Sequence, residues 1–321
     1  MRGVEMNGWG RFAPSPSGLM HFGNLRTAVA AYLCAKTSNR GFLVRIEDVD
    51  SKRSRLEFSE AARTDLKLLG LGSETEVVYQ SRRGSLYQSI LERLVQKNMV
   101  YECYCSRADI GAAASAPHGK PGIYPGTCRN LSAEQRQEKR AELVSQGRQP
   151  ALRLRAPLDT EYTVTDRLRG KVTGMLHDVV LRRTDGDWAY QLAVVVDDMV
   201  QGVTQVVRGA DLVSASPVQA WLTEILGGSA PEYAHVPLVM NACGQRLAKR
   251  DKSVTLREMR ELGWSEAKIL YEILRTLGWV PQSKIAAELD VMTAPQILEQ
   301  AVQNWSVDSI PPVPCIFAPG D

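Results

Sequence analysis

The sequence predicts an α/β fold: a doubly wound, mainly parallel sheet, interrupted by an insertion and followed by a small C-terminal helical domain. Three observations carry this. Within residues 9–46 a strand, a glycine-bearing loop, a helix and a second strand succeed one another, the βαβ spacing of a parallel sheet. Residues 101–128 hold three cysteines and a tract of Ala, Gly and Pro that breaks the alternation. After residue 252 apolar positions recur only at helical spacing. A length of 321 residues suits about two domains, and 44% hydrophobic with 23% charged residues excludes a disordered or fibrous chain.

Each element has its own reason. Residues 9–13 read as a strand that Pro14-Ser-Pro-Ser-Gly18 ends. Leu25, Val29, Tyr32 and Leu33 share one face of a helix over 25–36, which Asn39-Arg-Gly41 stops. The continuous apolar run Phe42–Ile46 predicts a buried parallel strand. Helical spacing returns at 57–70 and 84–98. Past the insertion, strands are expected at 151–156, 162–166 and along the Val-rich run 188–208. Ser216 as N-cap, Pro217 in the first turn and Gly227-Gly228 as stop predict a helix over 217–226. Ile269, Leu270, Ile273, Leu274 and Leu277 form one apolar face, and Thr293 with Gln296 makes a capping box ahead of Ile297 and Leu298. The expected organisation is two halves of a sheet domain at 1–100 and 166–252, an insertion at 101–165 and a helical domain at 253–321.

No apolar run approaches the roughly 20 residues that cross a bilayer, and the first ten residues do not read as a signal peptide. Six unevenly placed cysteines make no disulfide scaffold, so a reducing cytoplasm is the expected compartment. The net charge of +3 hides an asymmetry: residues 285–321 hold five acids and no base, which leaves +8 on the residues before them. The surplus concentrates at 129–155 and 246–260, suiting an anionic partner such as a nucleotide or RNA.

Three segments carry chemistry. His21-Phe-Gly-Asn24 lies between the first strand and the first helix, where backbone N–H groups and a helix dipole favour a phosphate. Gly23 permits close approach and His21 offers a donor. Arg246-Leu-Ala-Lys-Arg250 is a basic segment after a turn at 241–244, able to clamp charge on a departing pyrophosphate. Either one alone reads as a surface loop. Cys103, Cys105 and Cys128 suit a structural zinc ion, with His118 and Tyr124 both available as fourth ligand. Such an ion would pin an insertion too poor in apolar residues to fold on its own core.

Taken together, these segments resemble a known family. Arg11-Phe-Ala-Pro-Ser15 through Asn24 is similar to the first signature of class I aminoacyl-tRNA synthetases, and Arg246–Arg250 to their second, lysine-bearing one. Val44–Asp50, Asp187–Asp198 and Gly202–Asp211 extend the resemblance to the glutamyl branch, from about residue 9 to 250. The nearest likeness is to the glutamyl-Q tRNA(Asp) synthetases, short paralogues of glutamyl-tRNA synthetase. Two departures stand out: Arg246 and Ala248 replace a common Lys and Ser, leaving Lys249 as the clearest lysine, and Asn24 stands where relatives often place His.

The resemblance implies a Rossmann-type sheet with a zinc-binding, acceptor-type insertion, and Tyr124 as fourth ligand. It implies glutamate binding by Arg11, Phe12, Ala13, Pro14, Ser15, Glu47, Tyr190 and Arg208, and ATP binding with Mg²⁺ by His21, Gly23, Asn24 and Lys249. His21 and Lys249 are the expected catalytic pair. Substrate chemistry agrees with this set: two guanidinium groups match two carboxylates bidentately, and Glu47 can pair an ammonium. Glutamate's carboxylate is already ionised at neutral pH, so no general base is needed to form glutamyl-adenylate, and activation should not require tRNA. Only 71 residues follow Arg250, fewer than a typical domain of about 100–150, and this acidic tail suits no anticodon grip. By resemblance, the implied acceptor is the queuosine base in the anticodon loop of tRNA(Asp), and a monomer is expected. The alternatives are a truncated glutamyl-tRNA synthetase that charges a 3′ end, and a non-catalytic zinc- and RNA-binding module.

Overall fold

The computed structural model describes residues 6–114, 123–241, 243–245, 254–282 and 291–317. In chain order the strands are β1 (Trp9–Phe12), β2 (Gly41–Ile46), β3 (Val78–Tyr79), β4 (Val100–Cys103), β5 (Ala151–Leu154), β6 (Glu161–Asp166), β7 (Gly170–Met175), β8 (Val180–Arg182), β9 (Val203–Gly209), β10 (Glu232–Val236), β11 (Val239–Met240) and β12 (Cys315–Ile316). The helices are α1 (Phe22–Thr37), α2 (Leu56–Leu68), α3 (Gly84–Gln96), α4 (Arg107–Ala114), α5 (Ala133–Ser145), α6 (Tyr190–Val200), α7 (Ser216–Ile225), α8 (Leu256–Glu261), α9 (Glu266–Thr276) and α10 (Ala294–Asn304).

Seven strands form the central sheet in the order β3-β2-β1-β9-β10-β6-β7. Every pair in it is parallel except β6–β7. The expected α/β class therefore holds. All six residues of β2 are buried, as the unbroken apolar run predicts for a strand covered on both faces. Strand order reverses between β1 and β9, the kind of crevice where open parallel sheets bind ligands beyond their carboxyl ends. The insertion builds its own antiparallel sheet, β4-β5-β8.

The two largest cores flank the sheet. One joins α1 to the C-terminal helices, with Phe22, Leu25, Leu33, Ile273 and Leu298 in one cluster. The other gathers Tyr87, Leu91, Leu192 and Leu222 from α3, α6 and α7. Buried Arg26 of α1 stitches the first: its guanidinium donates to Pro237 O at 2.8 Å and to Thr276 O at 3.1 Å.

Four sequence expectations are corrected. The run 188–208 is a helix, α6, followed by strand β9. Leu192–Val196 are buried on every side, so the segment shows no helical period, and its valines imitate a strand. Helix α1 begins at Phe22 rather than Leu25, which makes His21 its N-cap. Ser216 is the first residue of α7 instead of its cap, because a 3₁₀ turn over Ala210–Ala215 leads directly into the helix. The tail is not purely helical: β12 pairs in parallel with β11, Cys315 opposite Val239. The Thr293–Gln296 capping box forms as expected, Gln296 Oε1 accepting from Thr293 N at 2.8 Å. Among the described residues, no helix is long and apolar enough to cross a membrane.

Candidate active site

The carboxyl ends of β1, β2, β9 and β10 and the start of α1 enclose a cavity of about 610 Å³, a size ordinary for small-molecule sites. Arg11, Phe12, Ala13, Pro14, Ser15, His21, Gly23, Asn24, Glu47, Tyr190 and Arg208 all line it. The described residues singled out for glutamate and ATP thus converge on one space. Lys249, with Arg246 and Ala248, lies outside the described residues.

The α1 end is built by a reciprocal cap. His21 Nδ1 accepts from Gly23 N at 3.1 Å, and Asn24 Oδ1 accepts from His21 N at 3.1 Å. This explains the glycine: a Cβ on Gly23 would lie 3.0 Å from His21 Cε1. It also gives Asn24 a local task, closing the capping box. Because Nδ1 is an acceptor here, the imidazole proton sits on Nε2. The open N–H groups expected of this turn are engaged, Gly23 N–H by His21 and Phe22 N–H by Val254 O at 3.0 Å. What the turn presents is the positive end of the α1 dipole and the imidazole.

The Arg11 side is a buried lattice of opposite charges. Arg11 donates to Asp198 through Nε at 3.3 Å and Nη2 at 3.4 Å. Arg45, wholly buried, holds Asp198 at 2.7 Å and Glu47 at 3.1 Å. Asp197 beneath it takes Arg83 at 2.6 Å, Tyr87 Oη at 2.7 Å and Gln80 at 2.8 Å. Burial raises Glu47's carboxyl above its usual range, and the Arg45 and Arg11 guanidiniums oppose that. Asp198 goes the other way: burial works against its charge, but Arg11 and Arg45 outweigh it and hold the carboxyl low. Glu47 N donates to Pro14 O at 3.0 Å, which fixes the end of β2 to the Ala13–Ser15 segment.

The Arg208 side is different. Its Nη1 donates to Gln219 Oε1 at 2.7 Å and to Tyr190 Oη at 3.4 Å, its Nη2 to Ser216 Oγ at 2.8 Å and to Leu212 O at 3.2 Å. Its Nε donates to His235 Nε2 at 2.9 Å. Each of these acceptors is uncharged, so none of them offsets the positive charge of this guanidinium, 5% exposed in the cavity wall. Burial pushes the Tyr190 phenol up, keeping it a donor. Sequence reasoning missed Arg45, Asp198 and His235 as parts of this site. Arg45 and Asp198 lay in quoted motifs, but their pairing spans 153 residues, and a lone His in an apolar strand reads as core.

The cysteines also meet. The sulfur atoms of Cys103, Cys105 and Cys128 lie within 4.8 Å of one another, with Cys105 and Cys128 at 3.5 Å. Tyr124 Oη is 3.4 Å from Cys103 Sγ and 3.6 Å from Cys105 Sγ. Tetrahedral zinc with bonds of about 2.3 Å needs sulfurs about 3.8 Å apart, so the donor set fits. Hydrogen bonds from Cys103, and from Tyr124 and Tyr104 N, lower the Cys128 thiol to about 6, favouring a thiolate. The guanidinium of Arg153 lies 3.8 Å from the centre of the Tyr124 ring. His118 lies outside the described residues.

Residues 9–311 match the family "tRNA synthetases class I (E and Q), catalytic domain". The chain is 49% identical over 293 residues to a protein of Nocardia farcinica named glutamyl-Q tRNA(Asp) synthetase, covering 91% of this chain and 92% of that one. A protein of the same name from Nitratidesulfovibrio vulgaris is 43% identical, with 85% of this chain and 87% of that one covered. Among solved structures, the glutamate tRNA ligase of Elizabethkingia meningosepticum superposes with a TM-score of 0.77 over 97% of this chain and 67% of its own, at 24% identity, a likeness of fold. By sequence, the chain belongs to the class I tRNA synthetases of the glutamate and glutamine type.

Proposed function

We propose that the chain activates L-glutamate with ATP to glutamyl-adenylate, without tRNA, and transfers the glutamyl group to the queuosine base of tRNA(Asp). The observation that carries the activation step is the pairing of a charged Arg208, held only by neutral acceptors, with Arg11 and Glu47 in one cavity beside the α1 N-terminus. The names of relatives at 43–49% identity over most of the chain support the acceptor.

In this reading Arg208 and Arg11 take the two carboxylates, Glu47 takes the ammonium and Tyr190 adds a hydroxyl donor. The carboxylate that attacks the α-phosphate of ATP is already ionised, so the protein's work is alignment and charge neutralisation. His21, its proton on Nε2, and the α1 dipole face the phosphates, and Lys249 of the second signature opposes the charge on departing pyrophosphate. Magnesium, bound with ATP, adds positive charge at the phosphates. Cys103, Cys105, Tyr124 and Cys128 would hold a structural zinc, which would cross-link the insertion where its apolar core is thin.

Two measurements test this. Glutamate-dependent exchange of pyrophosphate into ATP, with no tRNA added, is expected in the wild type and lost in Lys249→Ala. Labelled glutamate is expected to enter tRNA(Asp) that contains queuosine and to be stable to removal of the 3′ terminal adenosine. Undiminished transfer to queuosine-free tRNA rejects the acceptor and favours 3′ charging. Absence of exchange in folded protein rejects the activation step. Size-exclusion chromatography is expected to give a monomer.

A further inference from the structure

Behind the cavity wall, against Arg208, lies a buried titratable group that the mechanism above does not use. His235, on β10, is wholly buried. Its Nε2 lies 2.9 Å from Arg208 Nε and 3.2 Å from Ser216 Oγ, and its Nδ1 lies 2.6 Å from Asp166 Oδ2. Arg208 Nε bears an N–H and can only donate. His235 Nε2 must therefore be the bare nitrogen, and Nδ1 must carry the proton and give it to Asp166. Asp166 is fixed in turn: its Oδ1 accepts from Leu168 N and Arg169 N, both at 2.9 Å. A chain of fixed hydrogen bonds thus runs from the β6–β7 turn, through the imidazole, to the guanidinium in the cavity wall.

We infer that His235 is a positioning residue for the amino-acid substrate, acting as a neutral Nδ1–H imidazole that aims Arg208, with Asp166 selecting the tautomer. The inference rests on the reading that Arg208 binds a substrate carboxylate. Only the neutral ring can do this. An imidazolium would turn an N–H toward Arg208 Nε, leaving two donors face to face and two positive charges in contact. The surroundings enforce neutrality: burial disfavours the imidazolium most, Arg208 and Arg11 oppose it further, and Asp166 alone favours it, with the net effect of lowering the pKa. Tyr233 stacks 6.0 Å away on the same strand, and Ser216 of α7 is the remaining polar neighbour. The device costs no net charge. A carboxylate in the imidazole's place would hold Arg208 more tightly but cancel the charge that a carboxylate substrate needs.

The test uses the full chain and pyrophosphate exchange with L-glutamate as probe. His235→Phe, which keeps the ring and removes the acceptor, is expected to raise the KM for glutamate roughly 10- to 100-fold, the loss of one hydrogen bond to a charged group. The kcat and the KM for ATP should change less than about threefold. His235→Gln, whose carbonyl reaches the Nε2 position and does not titrate, is expected to restore most of the affinity. In the wild type the glutamate KM should climb as pH falls through the ring's folded-state pKa, which lies below 6.5, and the climb should be smaller in His235→Gln, where Glu47 still titrates but the ring does not. Nitrogen NMR of labelled imidazoles should show His235 protonated on Nδ1 at pH 7.5, a readout that needs no variant. A ring protonated on Nε2, or an unchanged glutamate KM in folded His235→Phe, overturns the inference. Arg208→Ala separates this from the underlying reading. If it keeps glutamate affinity, the substrate role of Arg208 fails. If it loses affinity while His235→Phe does not, only the positioning role fails.

Discussion

One cavity holds two arginines kept in place by opposite means. Arg11 lies against Asp198, in a lattice where Arg11, Arg45 and Arg83 face Glu47, Asp197 and Asp198. Arg208 is held by an imidazole, an amide, a hydroxyl and a carbonyl. Ionic partners give rigidity but consume charge, whereas neutral partners give direction and leave the charge for a ligand. In the proposed reading, the first side is a frame that orients Glu47 and Arg11 toward the substrate, and the second leaves Arg208 with its charge uncompensated for an anion.

Four outcomes break or sharpen that contrast. The largest concerns the frame. Asp198→Asn leaves Arg11 without its charged partner in a buried place, so a stability loss of about 3–5 kcal/mol is expected in urea unfolding. A loss under 1 kcal/mol would mean that the lattice is not a frame. Next comes the Arg208 side. Arg208→Lys should fold normally yet lower kcat/KM for glutamate in pyrophosphate exchange by roughly 100-fold, since an ammonium cannot satisfy this fork of acceptors. A large drop in stability with little kinetic change would reverse the two assignments. Gln219→Leu removes one neutral acceptor, 2.7 Å from Arg208 Nη1, and a rise of about tenfold in glutamate KM is expected with kcat nearly constant.

The smallest effect is the order in which the two sides respond to acid. Asp198's folded pKa is depressed below 3.8. Its stabilisation is therefore complete above that value and is lost as pH falls through the folded one. His235's folded pKa is depressed below 6.5. The stability tied to its neutral form is complete above 6.5 and begins to decline below it. As pH falls below 6.5 the loss tied to His235 should open first, reaching glutamate affinity once the folded ring takes its proton, and the loss tied to Asp198 should follow only below 3.8; parallel KM and urea measurements would show the order. Affinity that holds until the protein unfolds would remove the distinction.

Much of this was legible before any coordinates. The βαβ unit, the buried run Phe42–Ile46 and the capping signals at Thr293 follow from local periodicity and cap chemistry. The residues singled out along the first signature, with Glu47, Tyr190 and Arg208, come together because each ends or begins an element at the same edge of the sheet. Helix α6 was illegible for a physical reason: Leu192–Val196 are buried all round, and a segment without a wet face has no amphipathic period. Its length held a clue, since 21 residues exceed an ordinary strand of about 3–10. His235 and Asp166 were beyond reach. The pairing joins positions 69 apart, and nothing in Tyr233-Ala-His-Val236 marks that imidazole as anything but packed.

The short pairing of β11 with β12 has a wider consequence. Cys315 N and Phe317 N donate to Leu238 O and Met240 O at 3.0 Å, and Phe317 stacks on Phe22 with ring centres 3.6 Å apart. Phe22 opens α1, and Leu238 borders the cavity. The helical tail is thereby clasped to the helix whose first turn lines the cavity. Tail and sheet should melt as one cooperative unit instead of the tail peeling away first, so a substitution that loosens residues 315–317 is expected to be felt at the cavity.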